Sequence, residues 1–416
     1  MAGSTDAPGA HGHSSIASAG WRMWIPCVAM GGCSWLAFVD RQILAVLSPT
    51  ILADTGLTAE TYAQAFALFN LAYMIANPVW GSILDRIGLR IGMIIAVAIW
   101  SAASASHAFM AGFLGFALAR ALLGLGEGAT FPGGFRTAVE SLPLNRRARG
   151  IATSFSGGAI GAILTPLIVI PIGIRFGWQT AFLLSGLLGV LWILLWLLAA
   201  RPPYLPKTER KTTKLALPNF LERRVWALMI AYSLTTLSIG PILAIVPLYF
   251  SESLGVPQAE LGRLLWAPPF MWAVGYFFWG WAADRYAGDT PRPIKMLVLL
   301  TVLALPIGAT TATASPVLAM VLIAWTGFIV GGFQMVVLKA NSYAFPHEQS
   351  AMMMGVAGGA WSGANVLFLP LIGRWFGQQN YTEAFLLMAL LPIAGLVLWL
   401  ILSPRPEAMA TQTGTP

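Results

Sequence analysis

The sequence predicts an all-α membrane protein whose twelve transmembrane helices form two pseudo-symmetric six-helix bundles. Three observations carry this. Of the 416 residues, 57% are hydrophobic and only 10% are charged, against roughly 25% charged in a soluble protein; mean hydropathy is +0.73. Apolar stretches of about 20 residues, enough to cross a bilayer as a helix, recur along the whole chain. The second half also echoes the first.

Taken in order, the spans lie near 24–47, 61–83, 92–111, 113–137, 151–174, 179–199, 225–250, 260–283, 295–313, 317–338, 351–373 and 382–403. Between the sixth and seventh lies RPPYLPKTERKTTKLALPNFLERR (201–224), the longest polar stretch and the natural boundary. The expected organisation is a disordered tail over 1–20, a bundle over 21–200, a cytoplasmic linker over 201–224, a second bundle over 225–404 and a tail over 405–416. Residues 1–20 are rich in Gly, Ala, Ser and His and lack a signal-peptide pattern. His11 and His13 could bind metal there, but a mobile tail is the better reading.

The net charge is +8 and the pI about 9.8, yet no basic run is interleaved with aromatics as nucleic-acid binding would need. The basic residues sit instead in short loops. Loops after even-numbered spans hold Arg86, Arg90, Arg146, Arg147, Arg149, the 201–224 cluster, Arg285, Arg292 and Lys295. Those after odd-numbered spans hold little beyond Arg175, Arg263 and Arg374. Both termini are therefore expected inside, in a bacterial-type inner membrane. Cys27 and Cys33, both in the first span, offer no disulfide framework.

The repeat shows in three places. RFGWQTAFLLSGLL (175–188) is echoed by RWFGQQNYTEAFLLMALL (374–391), WGSILDRIGLR (80–90) by WGWAADRYAG (279–288), and SGGAIGAI (156–163) by GVAGGAWSGA (355–364). All three lie at an offset of about 200 residues, as in parallel-repeat transporters whose site lies between the halves at mid-membrane.

Charge inside the spans is the second signal. LARALLGLGEGATFPG (118–133) carries Arg120 and Glu127 on one helical face, roughly 10 Å apart along the axis. Such charges cost several kcal/mol unless they face protein, water or a counter-charge, and default to a functional reading; the bland alternative is an ion pair that locks helices. Asp40 and Arg41, adjacent in the first span, point about 100° apart, so one can face a cavity and the other a neighbouring helix. Two acids and two bases form a set able to exchange partners. A carboxylate in low dielectric favours its protonated form and a nearby guanidinium opposes this, so an anion that takes the Arg would leave the acid readier to bind a proton. Arg suits the task because its planar fork grips carboxylate bidentately.

The loop Gly81-Ser82-Ile83-Leu84-Asp85-Arg86-Ile87-Gly88-Leu89-Arg90 resembles the signature of the major facilitator superfamily, with a weaker copy at Asp284 and Arg285. Arg120-Ala121-Leu122-Leu123-Gly124 resembles the superfamily's RxxxG pattern. AFVDRQILAVLSP (37–49) followed by ARALLGLGEGATFPGG (119–134) resembles the anion:cation symporter branch, carriers of sugar acids and other small organic anions. The resemblance implies that Arg41 contacts a substrate carboxylate, that Asp40 and Glu127 are protonation sites, that Arg120 pairs with them, and that Tyr73 lies in the cavity. Gly81, Asp85, Arg86, Gly88, Arg90, Asp284 and Arg285 read as gating residues. The seventh span, AYSLTTLSIGPILAIVPLYF (231–250), has no arginine, where glutamate-carrying relatives have one. The second half offers Gln334, Asn341 and Asn365 with Trp266, Trp272, Tyr276 and Trp361, which suit hydroxyls or a ring better than a second carboxylate. Asn365, Gln334 and Trp361 complete the expected substrate site.

A phosphate cradle at GLGEG (124–128) lacks both a preceding strand and a Lys-Ser/Thr ending. No His/Cys/carboxylate cluster has metal spacing, and four histidines support no Ser-His-Asp set. No metal, no cofactor and no enzymatic activity are expected. The sequence points to a monomeric, proton-coupled importer of a small organic anion, a sugar acid or other carboxylate, working by rocker-switch alternating access. The alternatives are an organic-anion exchanger or uncoupled facilitator and, from another class, a transporter-like anion sensor.

Overall fold

Proline, glycine and charge decide where the helices begin and bend. The computed structural model describes residues 20–143, 146–202, 204–205, 219–287, 290, 292–345 and 347–403. Among these the regular structure is helical, without a strand. The first half contains α1 (Ile25–Val46), α2 (Ser48–Thr55), α3 (Ala59–Ile87), α4 (Leu89–Ser106), α5 (Gly112–Glu127), α6 (Thr130–Ser141), α7 (Arg147–Phe176) and α8 (Trp178–Ala199). The second contains α9 (Arg223–Thr235), α10 (Ile239–Ala244), α11 (Val246–Glu252), α12 (Gln258–Leu265), α13 (Ala267–Tyr286), α14 (Ile294–Ala304), α15 (Pro316–Ala344), α16 (His347–Gly377) and α17 (Tyr381–Leu402).

Eleven helical segments among the described residues are long and apolar enough to cross a membrane. The remaining expected span, 260–283, is helical as α12 and α13, but its prolines, tryptophans and tyrosine keep its hydropathy low. Twelve crossings in two six-helix bundles result. Residues 1–19, the carboxy-terminal tail and most of the linker lie outside the described residues.

Two breaks repeat. Pro49 has no N–H to give the Ala45 carbonyl, and Pro247 none for that of Leu243, so the first span breaks between α1 and α2 and the seventh between α10 and α11. The Ser48 hydroxyl donates to the Ala45 carbonyl at 2.7 Å instead.

The halves meet unevenly. At the end far from the termini they share one apolar cluster, to which Ile43, Leu47, Ile51, Tyr62 and Ile170 contribute from the first half and Ile242, Val246, Tyr249, Leu261 and Phe376 from the second. Towards the termini each half keeps its own cluster, one around Trp80, Met93 and Trp196, the other around Trp279, Phe333 and Trp399. Helices α3 and α16 follow the same pattern. They touch where Gly373 meets Ala63 and where a Cβ on Gly363 would lie 3.2 Å from the Met74 sulfur, while Gly81, Gly355 and Gly358 face open space. The molecule is closed at the far end and open at the terminal end.

Candidate functional site

Small residues bring the ionisable side chains together. A Cβ on Gly124 would strike the Phe69 carbonyl of α3, and one on Gly128 would strike Ala76, so only glycine lets α5 press against α3 and carry Arg120 and Glu127 inward. Gly157 of α7 approaches the Gly31 carbonyl of α1 in the same way. The RxxxG pattern and the 156–163 glycines thus serve close helix approach.

As adjacency on a helix requires, Asp40 and Arg41 face different neighbours. Asp40 is buried; its Oδ1 accepts from the Ser104 hydroxyl of α4 at 2.5 Å and from the Ser185 hydroxyl of α8. Arg41 donates through Nε to Glu127 Oε2 at 2.5 Å, with side-chain exposures of 23% and 0%. The Arg41 guanidinium also lies over three rings, Tyr73 at 4.6 Å, Phe69 at 5.1 Å and Phe38 at 5.3 Å, and Tyr73 stacks on Phe69. A half-buried cation is held by one carboxylate and by three aromatic rings beneath and beside it.

Arg120 departs from the expected pairing. It is fully buried, yet its three guanidinium nitrogens make no hydrogen bond among the described residues, and it lies over the Phe66 ring at 4.6 Å. Arg41, not Arg120, takes Glu127. The cause is the turn of α1 about its axis, which points Arg41 at α5 and Asp40 at α4 and α8.

The second half offers amides and rings. Gln334 accepts from Trp272 Nε1 at 2.7 Å and lies 3.3 Å from the Tyr232 hydroxyl through Nε2; Tyr276 packs beside Trp272, ring centroids 5.4 Å apart. Trp361 Nε1 donates to the Thr236 carbonyl at 3.2 Å, and Asn365 Nδ2 to the Trp361 carbonyl at 2.9 Å. Asn365 Oδ1 abuts Gly240, where a Cβ would collide with it. Asn365 therefore uses one of its two amide N–H donors inside its own helix.

The 81–90 segment expected as a loop is helical in the structure apart from Gly88, and it and its copy in α13 hold matched ion pairs within each half. Arg136 of α6 reaches Asp85 at 2.8 Å and Glu140 at 2.7 Å; Lys339 of α15 reaches Asp284 at 3.3 Å. Arg90 donates to the Leu197 carbonyl at 3.1 Å. Arg86 and Arg285 are exposed. Gly88 has φ +85°, a left-handed turn between α3 and α4 that favours glycine.

Sequence reasoning missed Ser104 and Ser185, because a serine in an apolar span gives no sign that it faces a carboxylate. It also missed Arg136 and Lys339, although each lies about 200 positions from the other, as their partners Asp85 and Asp284 do. His107, fully buried and stacked on Phe182 at 4.7 Å, was passed over as well.

Two six-helix halves, locked at one end and splayed at the other around a half-buried arginine, define a polytopic membrane transporter. The sequence model of the Major Facilitator Superfamily matches residues 30–338 and 228–415, and the chain belongs to that superfamily. Curated relatives include a hexuronate transporter of Escherichia coli (strain K12), 25% identical over 94% of this chain and 96% of its own. A D-galactonate transporter of Escherichia coli O6:H1 is 24% identical over 93% and 97%, and a galacturonate transporter of Dickeya chrysanthemi 25% over 59% and 77%. Among solved structures, a bacterial homologue of the human lysosomal transporter Spinster, inward-facing and unoccupied, superposes with TM-score 0.71 at 18% identity over 93% of this chain and 96% of that one. A D-xylose-proton symporter does so with TM-score 0.71 at 16% identity, over 92% and 98%.

Proposed function

We propose that this transporter imports a small organic anion, a sugar acid or other carboxylate, together with protons, by rocker-switch alternating access. The observation that carries the proposal is the Arg41–Glu127 pair, in which the cation is 23% exposed and the carboxylate not at all. A substrate carboxylate that engages Arg41 competes for the charge that compensates Glu127. A buried carboxylate left without its counter-charge is costly, and binding a proton removes that cost. Substrate and proton then load together, and release of one favours release of the other.

Tyr73, Gln334, Trp361 and Asn365 complete the proposed substrate site. Asp40, held by two serines, acts as a second protonation site, and Arg120 supplies a positive field to both acids. Gly81, Asp85, Arg86, Gly88 and Arg90, with Asp284 and Arg285, gate the terminal end; the Asp85–Arg136 and Asp284–Lys339 pairs suit that role because each ties a helix end to its own half when that end is open. The fold works as a monomer in a bacterial-type inner membrane, termini cytoplasmic, with domain limits at 21–200 and 225–404 and a linker at 201–224. The identities of the curated relatives support a sugar acid as cargo.

Proteoliposome uptake tests this. With D-galacturonate and D-galactonate as probes, an inward proton gradient should drive accumulation by the wild type. Glu127→Gln should abolish that drive while sparing exchange of internal for external substrate. Gradient-driven uptake by the variant equal to wild type would sink the coupling role; binding without flux would show a sensor instead.

A further inference from the structure

The two broken spans end in carbonyls that the opposite half reaches across to meet. Val46 is the last residue of α1 and Ala244 the last of α10, and carbonyls in a final helical turn lack partners in their own helix. The Gln258 amide, at the start of α12, donates to the Val46 carbonyl at 2.6 Å. The Tyr62 hydroxyl, in the first turn of α3, donates to the Ala244 carbonyl at 2.6 Å and lies 3.4 Å from the Leu44 carbonyl of its own half. Each half thus lends one donor to the helix break of the other. Among the described residues these are the hydrogen bonds seen between the halves, and both lie in the apolar far-end seal.

We infer that Tyr62 and Gln258 form a reciprocal latch that holds the far end shut, so that the balance between the two open states is set by these two donors and the Pro49 and Pro247 breaks they read. This rests on the alternating-access reading. Both acceptors belong to backbone that leaves helical register three residues before a proline. The latch is therefore selective for the broken geometry. When the far end opens, the carbonyls pass to water and lose nothing, whereas closing the seal without the two donors would bury them unpaired. The two bonds act at one interface from opposite sides, so each resists rotation of one half against the other.

The test reads the two ends directly. Spin labels at Ala53→Cys and Ser253→Cys, both exposed at the far end, report the gap in protein whose buried Cys27 and Cys33 are replaced by alanine. Tyr62→Phe and Gln258→Glu keep side-chain size; the first removes the hydroxyl donor and the second, ionised, replaces the donating amide with acceptors only. Each should raise the ratio of far-end-open to far-end-closed molecules about fivefold, the effect of one hydrogen bond, and the double variant should approach the product. Tyr381→Phe is the control, since Tyr381 donates to Glu252 at 3.0 Å within one half; it should leave the ratio unchanged. A wild type that samples both distances and a double variant with the same populations would overturn the latch and leave alternating access standing. A far-end distance fixed in every variant, in acidic and alkaline buffer and with or without D-galacturonate, would remove alternating access itself.

Discussion

Arg120 and Glu127 on α5 have Ile323 and Val330 as their repeat partners on α15. The register is set by glycines: Gly124 presses on the Phe69 carbonyl and Gly128 on Ala76 and Asn77, while Gly327 presses on the Pro268 carbonyl and Gly331 on Gly275 and Tyr276. The same register pairs Tyr73 with Trp272. Aligning Pro49 with Pro247 pairs Asp40 with Ser238 and Arg41 with Ile239. Every one of the four intramembrane charges of the first half is thus replaced by an uncharged residue in the second, on the same helix frame. Helix packing was kept in both copies and ionic chemistry in one. The fold does not need the charges, because a second copy of it stands without them, and that favours function over a structural role for the set in the first half.

Three substitutions would break or sharpen this contrast. Val330→Glu carries the largest expected effect. It rebuilds the acid of the first half where the repeat places Ile239 instead of Arg41, and should cost about 3 kcal/mol, seen as a lower thermal midpoint and a lower folded yield. If the variant were as stable as the parent, the second half would already hold a hidden counter-charge. Next in size, Arg41→Lys keeps the charge but loses the planar group that stacks on Tyr73, Phe69 and Phe38. D-galacturonate uptake should need at least about tenfold more substrate, about 1.4 kcal/mol, with little change in the thermal midpoint. Unchanged KM would show that the Arg41 guanidinium does not hold the substrate carboxylate. The smallest expected effect is that of Gln334→Leu, which severs the link from Trp272 to Tyr232. It should alter the ranking of sugar acids in competition uptake by a few-fold, about 1 kcal/mol for a neutral hydrogen bond, without altering the dependence on the proton gradient. A change in gradient dependence would mean that the halves do not divide the work as their side chains suggest.

Much of the frame is legible in the sequence, because span length and repeat offset follow from bilayer thickness and duplication. The four charges are legible for a related reason: an Arg or Glu amid leucines is expensive wherever it falls. Their pairing is not. Arg41 and Asp40 are neighbours in sequence, and which of them meets α5 depends on how α1 turns against α4, α7 and α8, a property of packing that the residues of α1 alone do not encode. Sequence pairs Arg120 with the acids, yet it lies over Phe66 while Arg41 takes Glu127. The serines that hold Asp40 were invisible for the same reason. The prolines at 49 and 247 could have been read, since their shared place in the repeat marks both breaks.

The far-end seal has one more consequence. Its shared cluster is almost wholly aliphatic and aromatic, so swinging the halves apart there would wet apolar surface and raise the heat capacity of the protein. Apolar burial weakens on cooling. A chilled sample should accordingly drift towards the state open at the far end, and the transport cycle should carry a built-in sensitivity to temperature that its polar groups do not impart.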